Sequence, residues 1–239
     1  MNRPYRLTPM HQWHQRHGAK MAEVAGWRRV VDYGDLKSEV AALNSTAGLS
    51  DVTPISKIDV QGKQSGQMLD RFTRVPGIGE CTAAVLSRNA DLSVYVARLT
   101  RDRFIVLGGV EQGALIYSSL SDAGSRDGCV HVTDLTSAYA ALQLIGPMST
   151  KLLKKLGSAQ IDSIKNDRCQ QSALARVVAV LIRRNVREVP GWLILVSRDY
   201  GEYVWECVLA AGYELGIRPF GTQAEKVLMN AEAADVEVV

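Results

Sequence analysis

Ala141-Leu-Gln-Leu-Ile-Gly146-Pro-Met-Ser-Thr-Lys-Leu-Leu-Lys-Lys-Leu156 is the stretch on which the reading of the fold rests. Leu142 and Leu144 recur at period two, the pattern of a strand. After Gly146 the spacing changes, and Met148, Leu152, Leu153 and Leu156 recur as on a helix face. The same order occurs earlier, in Lys57-Ile-Asp-Val-Gln-Gly62-Lys-Gln-Ser-Gly-Gln-Met-Leu-Asp-Arg-Phe72. There Ile58 and Val60 alternate before the glycine, and Met68, Leu69 and Phe72 follow with helical spacing. The two glycines lie 84 positions apart. Glycine suits such a junction because it tolerates the backbone angles of a tight strand-to-helix turn.

The flanking sequence repeats in the same register. Cys81 to Leu86, Leu92 to Leu99 and Arg103-Phe-Ile-Val-Leu107 read as strands, and a helix from Val110 to about Ser121 closes the first half. In the second half, strand-like runs lie between Cys169 and Arg183, Trp192-Leu-Ile-Leu-Val196 is another strand, and Asp199 to about Leu215 is helical. Further helices are expected after Thr8-Pro9, over Leu36 to Ser45, and over Ala224 to Ala231. The expected fold is α+β with duplicated β-α-β-β-α halves. Its parts are an N-terminal helical arm and connection over 1–50, a first half over 51–135 and a second over 136–239.

With 46% hydrophobic and 22% charged residues, the 239-residue chain has an ordinary globular composition. A net charge of +3 without a block of like charges argues against a phosphate-tracking nucleic-acid surface. No apolar run approaches the ~18 residues that span a bilayer. Cys81, Cys129, Cys169 and Cys207 stand apart with no C-x-x-C pair, and the first ten residues lack the apolar core of a secretory signal. The expected setting is cytoplasmic, with reduced thiols. His11, His14 and His17 point in different directions on a straight helix, so no metal site is expected. Gly77-x-Gly79 lacks the rest of a dinucleotide fingerprint and reads as a turn.

Several short motifs follow one another in a telling order. They are Thr8-Pro9-Met10-His11-x-Trp13-His14, Ala25-Gly26-Trp27, Ala47-Gly48-Leu49-x-Asp51-Val52, Lys57-Ile58-Asp59-Val60-x-Gly62, Gly146-Pro147, Ser197-Arg198-x-Tyr200-Gly201-Glu202 and Arg218-Pro219-x-Gly221. In this order, over most of the chain, they resemble the folate-binding domain of the glycine-cleavage T-protein (aminomethyltransferase) family. The resemblance implies that family's fold, with two related halves and a tetrahydrofolate cofactor in a central cavity. It also implies transfer of a methyl or aminomethyl group from a small methylated substrate. The chain stops where the family's C-terminal barrel would begin, so that barrel is expected to be absent. Tyr200-Gly201-Glu202…Glu206 matches the segment that grips the pterin. By that match Tyr200 lines the ring and Glu206 bonds its pyrimidine edge, with Glu202 in the same motif. A carboxylate can accept two parallel N–H bonds from such an edge. The same i, i+4 spacing also suits a solvated helix face.

The departures from the pattern are equally specific. Val75 stands where the family's catalytic aspartate is expected, and valine cannot relay a proton. Cys81-Thr-Ala-Ala84 lacks a tyrosine expected near the pterin, and Gln223-Ala-Glu-Lys226 lacks an arginine expected near the glutamyl tail. Asp51, Asp91 and Glu206 remain as candidates for activating a substrate. In the second half, Arg168-Cys169-x-Gln171-Ser172, followed by Ser197-Arg198-x-Tyr200…Trp205, resembles the small gamma subunit of heterotetrameric sarcosine oxidase. Two functions follow as expectations. One is a tetrahydrofolate-dependent one-carbon transferase, and the other a non-catalytic gamma-type subunit of a flavin-dependent demethylating complex. Both imply a partner protein, possibly a flavoprotein oxidase, because the fold without its barrel would leave apolar surface exposed. Neither implies a nucleic acid or membrane partner.

Overall fold

The computed structural model describes residues 4–87, 91–126, 128–157 and 159–230, with the backbone alone described for Ser87, Asp91 and Ala159. The chain begins with α1 (His11–Arg16), the hairpin of β1 (Lys20–Val24) and β2 (Trp27–Asp32), α2 (Leu36–Ser45) and β3 (Gly48–Asp51). The first half follows as β4 (Ser56–Gln61), α3 (Ser65–Leu69), β5 (Cys81–Ser87), β6 (Asp91–Thr100), β7 (Arg103–Gly108), α4 (Gly113–Gly124) and β8 (His131–Asp134). The second comprises β9 (Tyr139–Ile145), α5 (Ser149–Leu156), β10 (Arg168–Leu174), β11 (Val177–Arg183), β12 (Gly191–Ser197), α6 (Gly201–Gly212), β13 (Arg218–Pro219) and α7 (Thr222–Asn230).

The α+β class and the duplicated halves agree with the sequence. Three strands separate the two helices of each half, where the β-α-β-β-α order has two; in the first half all three are the strands read from the sequence, and β8 follows α4. In the second half the extra strand comes from the β10–β11 hairpin. Its turn residues, Ala175 and Arg176, both have positive φ without the glycine or asparagine that normally marks such a turn.

Besides the two-stranded β1–β2 hairpin, the described residues form two larger sheets, ordered β5-β6-β7-β4-β8 and β10-β11-β12-β9-β3-β13. Alternation along the strands assigns their faces. Ile58, Val60, Val96, Phe104 and Val106 pack with Met68, Leu69, Ile116 and Leu120 of α3 and α4. Leu142, Leu144, Ile194 and Val196 pack with Leu152, Leu153, Val204 and Trp205 of α5 and α6. The opposite faces meet each other through Tyr95, Ile105 and Leu107 against Ala141, Val180, Ile182, Leu193 and Leu195. The sheets thus stack face to face with helices outside. Each fully buried leucine or isoleucine contributes about 1.5–3 kcal/mol to that arrangement.

The duplication extends to single hydrogen bonds. The Asp51 carboxylate accepts from Thr53 N at 3.0 Å, and Asp134 accepts from Thr136 N at 2.8 Å. Each threonine hydroxyl then accepts from the backbone of the central strand, Ala141 N at 3.2 Å and Lys57 N at 3.1 Å. Both junction glycines have positive φ, +133° at Gly62 and +136° at Gly146. A Cβ would meet the Cys129 carbonyl at the first and the Thr46 carbonyl oxygen, at 2.5 Å, at the second.

β3, which straddles residues 50 and 51, pairs with β9 of the second half along its whole length. The first sheet therefore begins only at β4, and the N-terminal segment belongs structurally with the second sheet.

Candidate functional site

The residues singled out in the sequence do not converge. Asp51 is buried, its side chain 2% exposed, with His14 Nε2 at 3.1 Å from Oδ2. The Tyr33 hydroxyl lies 2.8 Å from His14 Nδ1. A neutral imidazole protonated on Nε2 satisfies both contacts, donating to Asp51 and accepting from Tyr33. Burial alone would raise the Asp51 carboxyl, but hydrogen bonds from His14, Thr8 and Thr53 hold its pKa below the usual carboxylate range. Trp13 and Trp205 pack their rings beside this pair. Asp51 is therefore occupied in fastening α1 onto β3, and its counterpart Asp134 makes the same turn without a histidine. Asp51, one of the candidates for activating a substrate, thus lies in a buried, fully bonded setting. The side chain of Asp91 lies outside the described residues.

Val75 packs against the core of the first half. On α6, Glu206 is exposed and Glu202 pairs with Arg16 at 3.3 Å across the surface. Tyr200, just before the helix, is 51% exposed. Helical geometry explains the placement, because Val204, Trp205 and Val208 take the inner face of α6. His14 is buried while His17 stacks on Trp13 with ring centroids 3.7 Å apart. Among the described residues no group of three or more His, Cys, Asp or Glu side chains could hold a metal ion.

A cavity does form at one side of the sheet stack. It measures about 470 Å³ and is bounded by Val52, Ile55 and Leu193, with Arg29, Gln143 and Glu225 among its polar walls. A second hollow of about 500 Å³ adjoins it and shares Ile55, Arg184 and Leu193. Ala83, Ala84, Ser93, Tyr95 and Gly109 also line this second hollow. The sizes are those of small-molecule sites; the second hollow is mostly apolar, whereas the first sets Arg29, Gln143, Arg184, Asn185, Arg187 and Glu225 against six apolar residues. Arg184 lies over the Tyr95 ring, 4.6 Å from its centroid, at the junction of the two spaces. The walls come from distant segments: β2 carries Arg29, β9 Gln143, the turn after β11 Arg184, and α7 Glu225 and Met229.

Two buried polar atoms in this wall have no hydrogen-bond partner. They are the Nε donor of Arg29 and the Oε1 acceptor of Gln143, two of five such side-chain atoms among the described residues. Leaving a buried polar group unpaired costs about 1–3 kcal/mol. Sequence reasoning missed both residues. Gln143 was legible as the one amide in an otherwise apolar strand, at the face opposite Leu142 and Leu144. Arg29, Arg184 and Glu225 carried no local signal, since the cavity exists only after β2, β11 and α7 meet.

The segment 52–55 that links β3 to β4 lines the first space through Val52 and Ile55 and the second through Ile55. Lys57 fastens it, with Nζ donating to the carbonyls of Thr53 at 2.7 Å and Ile55 at 2.9 Å. Burial pushes the Lys57 amine down to about 7, against the attraction of Asp51 and Asp134.

A two-sheet stack with a cleft between duplicated α+β halves defines the class. Residues 10–234 match the GCVT N-terminal domain, and the chain belongs to that family. Among curated proteins it is 27% identical over 233 residues to the aminomethyltransferase of Saccharopolyspora erythraea, covering 93% of this chain and 62% of that one. It is 28% identical over 251 residues to the sarcosine oxidase subunit alpha of Corynebacterium sp., covering 94% of this chain and 26% of that one. Among solved structures, the glycine cleavage system aminomethyltransferase T from Bartonella henselae superposes with a TM-score of 0.83 at 18% identity, over 94% of this chain and 62% of that one. The chain thus spans under two thirds of the length of the aminomethyltransferases it matches. The expected family and fold are those found, and the expected kinship with a sarcosine oxidase subunit is found with the alpha subunit. No helix among the described residues is long and apolar enough to cross a membrane.

Proposed function

We propose that this chain is a tetrahydrofolate-dependent one-carbon transfer protein that holds its cofactor in the cleft between the two sheets. The observation that carries the reading is the pair of adjoining spaces joined at Ile55, Arg184 and Leu193, with guanidinium groups on their walls. Among the described residues neither Arg29 nor Arg184 has an ion-pair partner. Two unpaired cations beside a mostly apolar slot suit a long, flat ligand that carries carboxylates. Tetrahydrofolate is such a molecule, and when bound it supplies the nitrogen that accepts a methyl or aminomethyl unit. Arg184 would then anchor a carboxylate, and Leu193 and Ile55 would exclude water from the middle of the cleft. Glu225 is the carboxylate among the residues that line either space, so it takes the place of the missing aspartate as the residue able to hold a proton near the substrate. The substrate is a small methylated molecule, and the setting is the cytoplasm.

Titration calorimetry of the full chain with tetrahydrofolate and with 5-methyltetrahydrofolate tests the reading. Binding is expected, weakened about tenfold by Arg184→Ala through loss of a charge-assisted contact. No heat at high ligand concentration removes it.

One observation favours a second reading, that of a partner subunit in a flavin-dependent amine-demethylating complex. Apolar residues stand exposed at the rims of both spaces, Met229 at 56% and Val85 at 45%. Such rims suit coverage by another protein. A flavoprotein retained with the chain on purification from its source would support this reading, and a chain recovered alone would count against it.

A further inference from the structure

We propose that Cys81 and Cys169 are a reversible oxidation site, two thiols that close into a disulfide and brace the first half of the chain to the second. They lie 88 positions apart in sequence, on β5 and β10, the terminal strands of the two large sheets. Main-chain hydrogen bonds hold the starts of these strands side by side. Cys81 N donates to the Asp167 carbonyl at 2.8 Å, and Cys169 N to the Gly79 carbonyl at 2.9 Å. Glu80 thereby stands opposite Arg168 in an antiparallel bridge. The side chains of that pair turn outward and join, Arg168 Nη2 lying 3.0 Å from Glu80 Oε1. By alternation the next residue on each strand turns inward. Those residues are the two cysteines, and both are buried between the sheets with Tyr95, Ala97 and Ile182. The Cys169 sulfur lies 3.8 Å from the Glu80 carbonyl oxygen, one residue from Cys81, and the two thiols share a hydrogen bond.

That hydrogen bond makes the pair unequal. Donation from Cys81 holds the Cys169 thiol below the ordinary cysteine value, with the Arg168 charge in support against burial. The same bond and burial push the Cys81 thiol up. Cys169 is therefore the attacking sulfur. The oxidant is hydrogen peroxide, small enough to enter on a local opening of the terminal strands. The Cys169 thiolate attacks one peroxide oxygen, the O–O bond breaks, and the other oxygen leaves as hydroxide, which takes the thiol proton and becomes water. Cys169 is then a sulfenic acid. The Cys81 sulfur attacks the Cys169 sulfur, an S–S bond forms and the S–O bond breaks. The second hydroxide leaves with the Cys81 proton as water. Two thiols have lost two electrons and two protons, and one peroxide has become two waters.

Cys129→Ser and Cys207→Ser in the full chain leave this pair as the remaining thiols. Hydrogen peroxide is expected to give a chain lighter by two hydrogens, and a peptide map without reductant should join the Cys81 peptide to the Cys169 peptide. Dithiothreitol should restore both thiols. With Cys81→Ser added, oxidation should stop at a Cys169 sulfenic acid that dimedone captures, whereas Cys169→Ser should abolish crosslink and capture together. The crosslinked chain should unfold at a midpoint about 5 °C higher or more, a gain lost on reduction. If a serine variant fails to fold, peptide mapping of the oxidised four-cysteine chain decides, with Cys81–Cys169 as the expected link. Absence of that link in the folded protein overturns the site, and capture at Cys81 in the Cys169→Ser variant overturns the order of attack. A crosslink that leaves the midpoint unchanged or lowers it overturns the bracing role.

Discussion

Three residues before its junction glycine, each half carries a polar side chain turned toward the other sheet: Asp59 in the first half and Gln143 in the second. Asp59 is fully engaged. Arg103 Nε lies 2.9 Å from one of its oxygens and Gln61 Nε2 2.7 Å from the other. Gln143 Oε1 has no partner. The neighbouring strand explains the difference. In the first half Arg103 stands opposite Gln61 on β7, whereas in the second the corresponding place on β12, opposite Ile145, is Gly191. A Cβ on Gly191 would run into the Arg184 carbonyl oxygen, so the place cannot carry an arginine. One copy of the duplicated unit closes its polar position with an ion pair. The other leaves its amide oxygen buried without a partner among the described residues, in a residue that lines a cavity.

The strongest way to break this comparison is to remove the feature the halves share. Gly62→Ala and Gly146→Ala each place a methyl group on a backbone with positive φ and drive it into a carbonyl. Each is expected to cost roughly 3 kcal/mol or more, read as a lower midpoint in urea unfolding. Both should act alike, since both junctions have the same geometry. A mild effect at either one would mean that its strand-to-helix turn can relax, and the two copies would no longer be equivalent.

The polar positions themselves should respond in opposite ways. Asp59→Ala strips Arg103 and Gln61 of a shared acceptor and is expected to cost about 1–3 kcal/mol of stability. Gln143→Leu removes an acceptor that already lacks a partner, so stability should stay level or rise by up to about 1 kcal/mol. Chemical denaturation of the two variants side by side measures the contrast. Equal losses would show that Gln143 supports the fold in the way Asp59 does.

The fold was largely legible because its signals are local. A switch of period at Gly62 and again at Gly146 needs no knowledge of distant residues, and the constant offset follows from counting. The partner of β3 was not legible: it gains its hydrogen bonds from β9, almost a hundred residues away, and no local pattern records that. The site was much less legible. Asp51 attracted attention as a carboxylate in a turn, but its role depends on His14 arriving from α1. Tyr200, Glu202 and Glu206 form a clear motif, yet the 3.6-residue period gives the inner face of α6 to Val204, Trp205 and Val208. Arg29, Arg184 and Glu225 become neighbours of one cavity only through tertiary packing.

Lys57 distinguishes the halves in a further way, since the corresponding residue five before Gly146 is Ala141. Its folded-state pKa of about 7 lies below the ordinary 10.5 of lysine. Between those values the unfolded chain binds the proton and the folded chain does not. Stability from this group should therefore rise as pH increases from about 7 toward 10.5, and be lost as pH falls back through 7. Lys57→Met should be less stable overall, because two carbonyls lose a donor, and its stability should lack this rise. Denaturant midpoints from pH 7 to 10 for both proteins would test it. Parallel curves would place the Lys57 amine in contact with solvent.

The smallest expected effect decides which surface serves the ligand. Glu206 is exposed on α6, and no hydrogen bond or ion pair among the described residues holds it. Glu206→Ala should therefore change stability by no more than about 0.5 kcal/mol. If the cleft is the site, affinity for tetrahydrofolate should also be unchanged, while Arg184→Ala weakens it. The opposite pattern, with a loss of about tenfold or more from Glu206→Ala and none from Arg184→Ala, would move the ligand to the outer face of α6. The contrast between Asp59 and Gln143 would then need another cause, because an unpaired amide in the second half would have no ligand to meet. Stability and affinity measured on the same two variants keep these outcomes apart, since a surface carboxylate can lose one without the other.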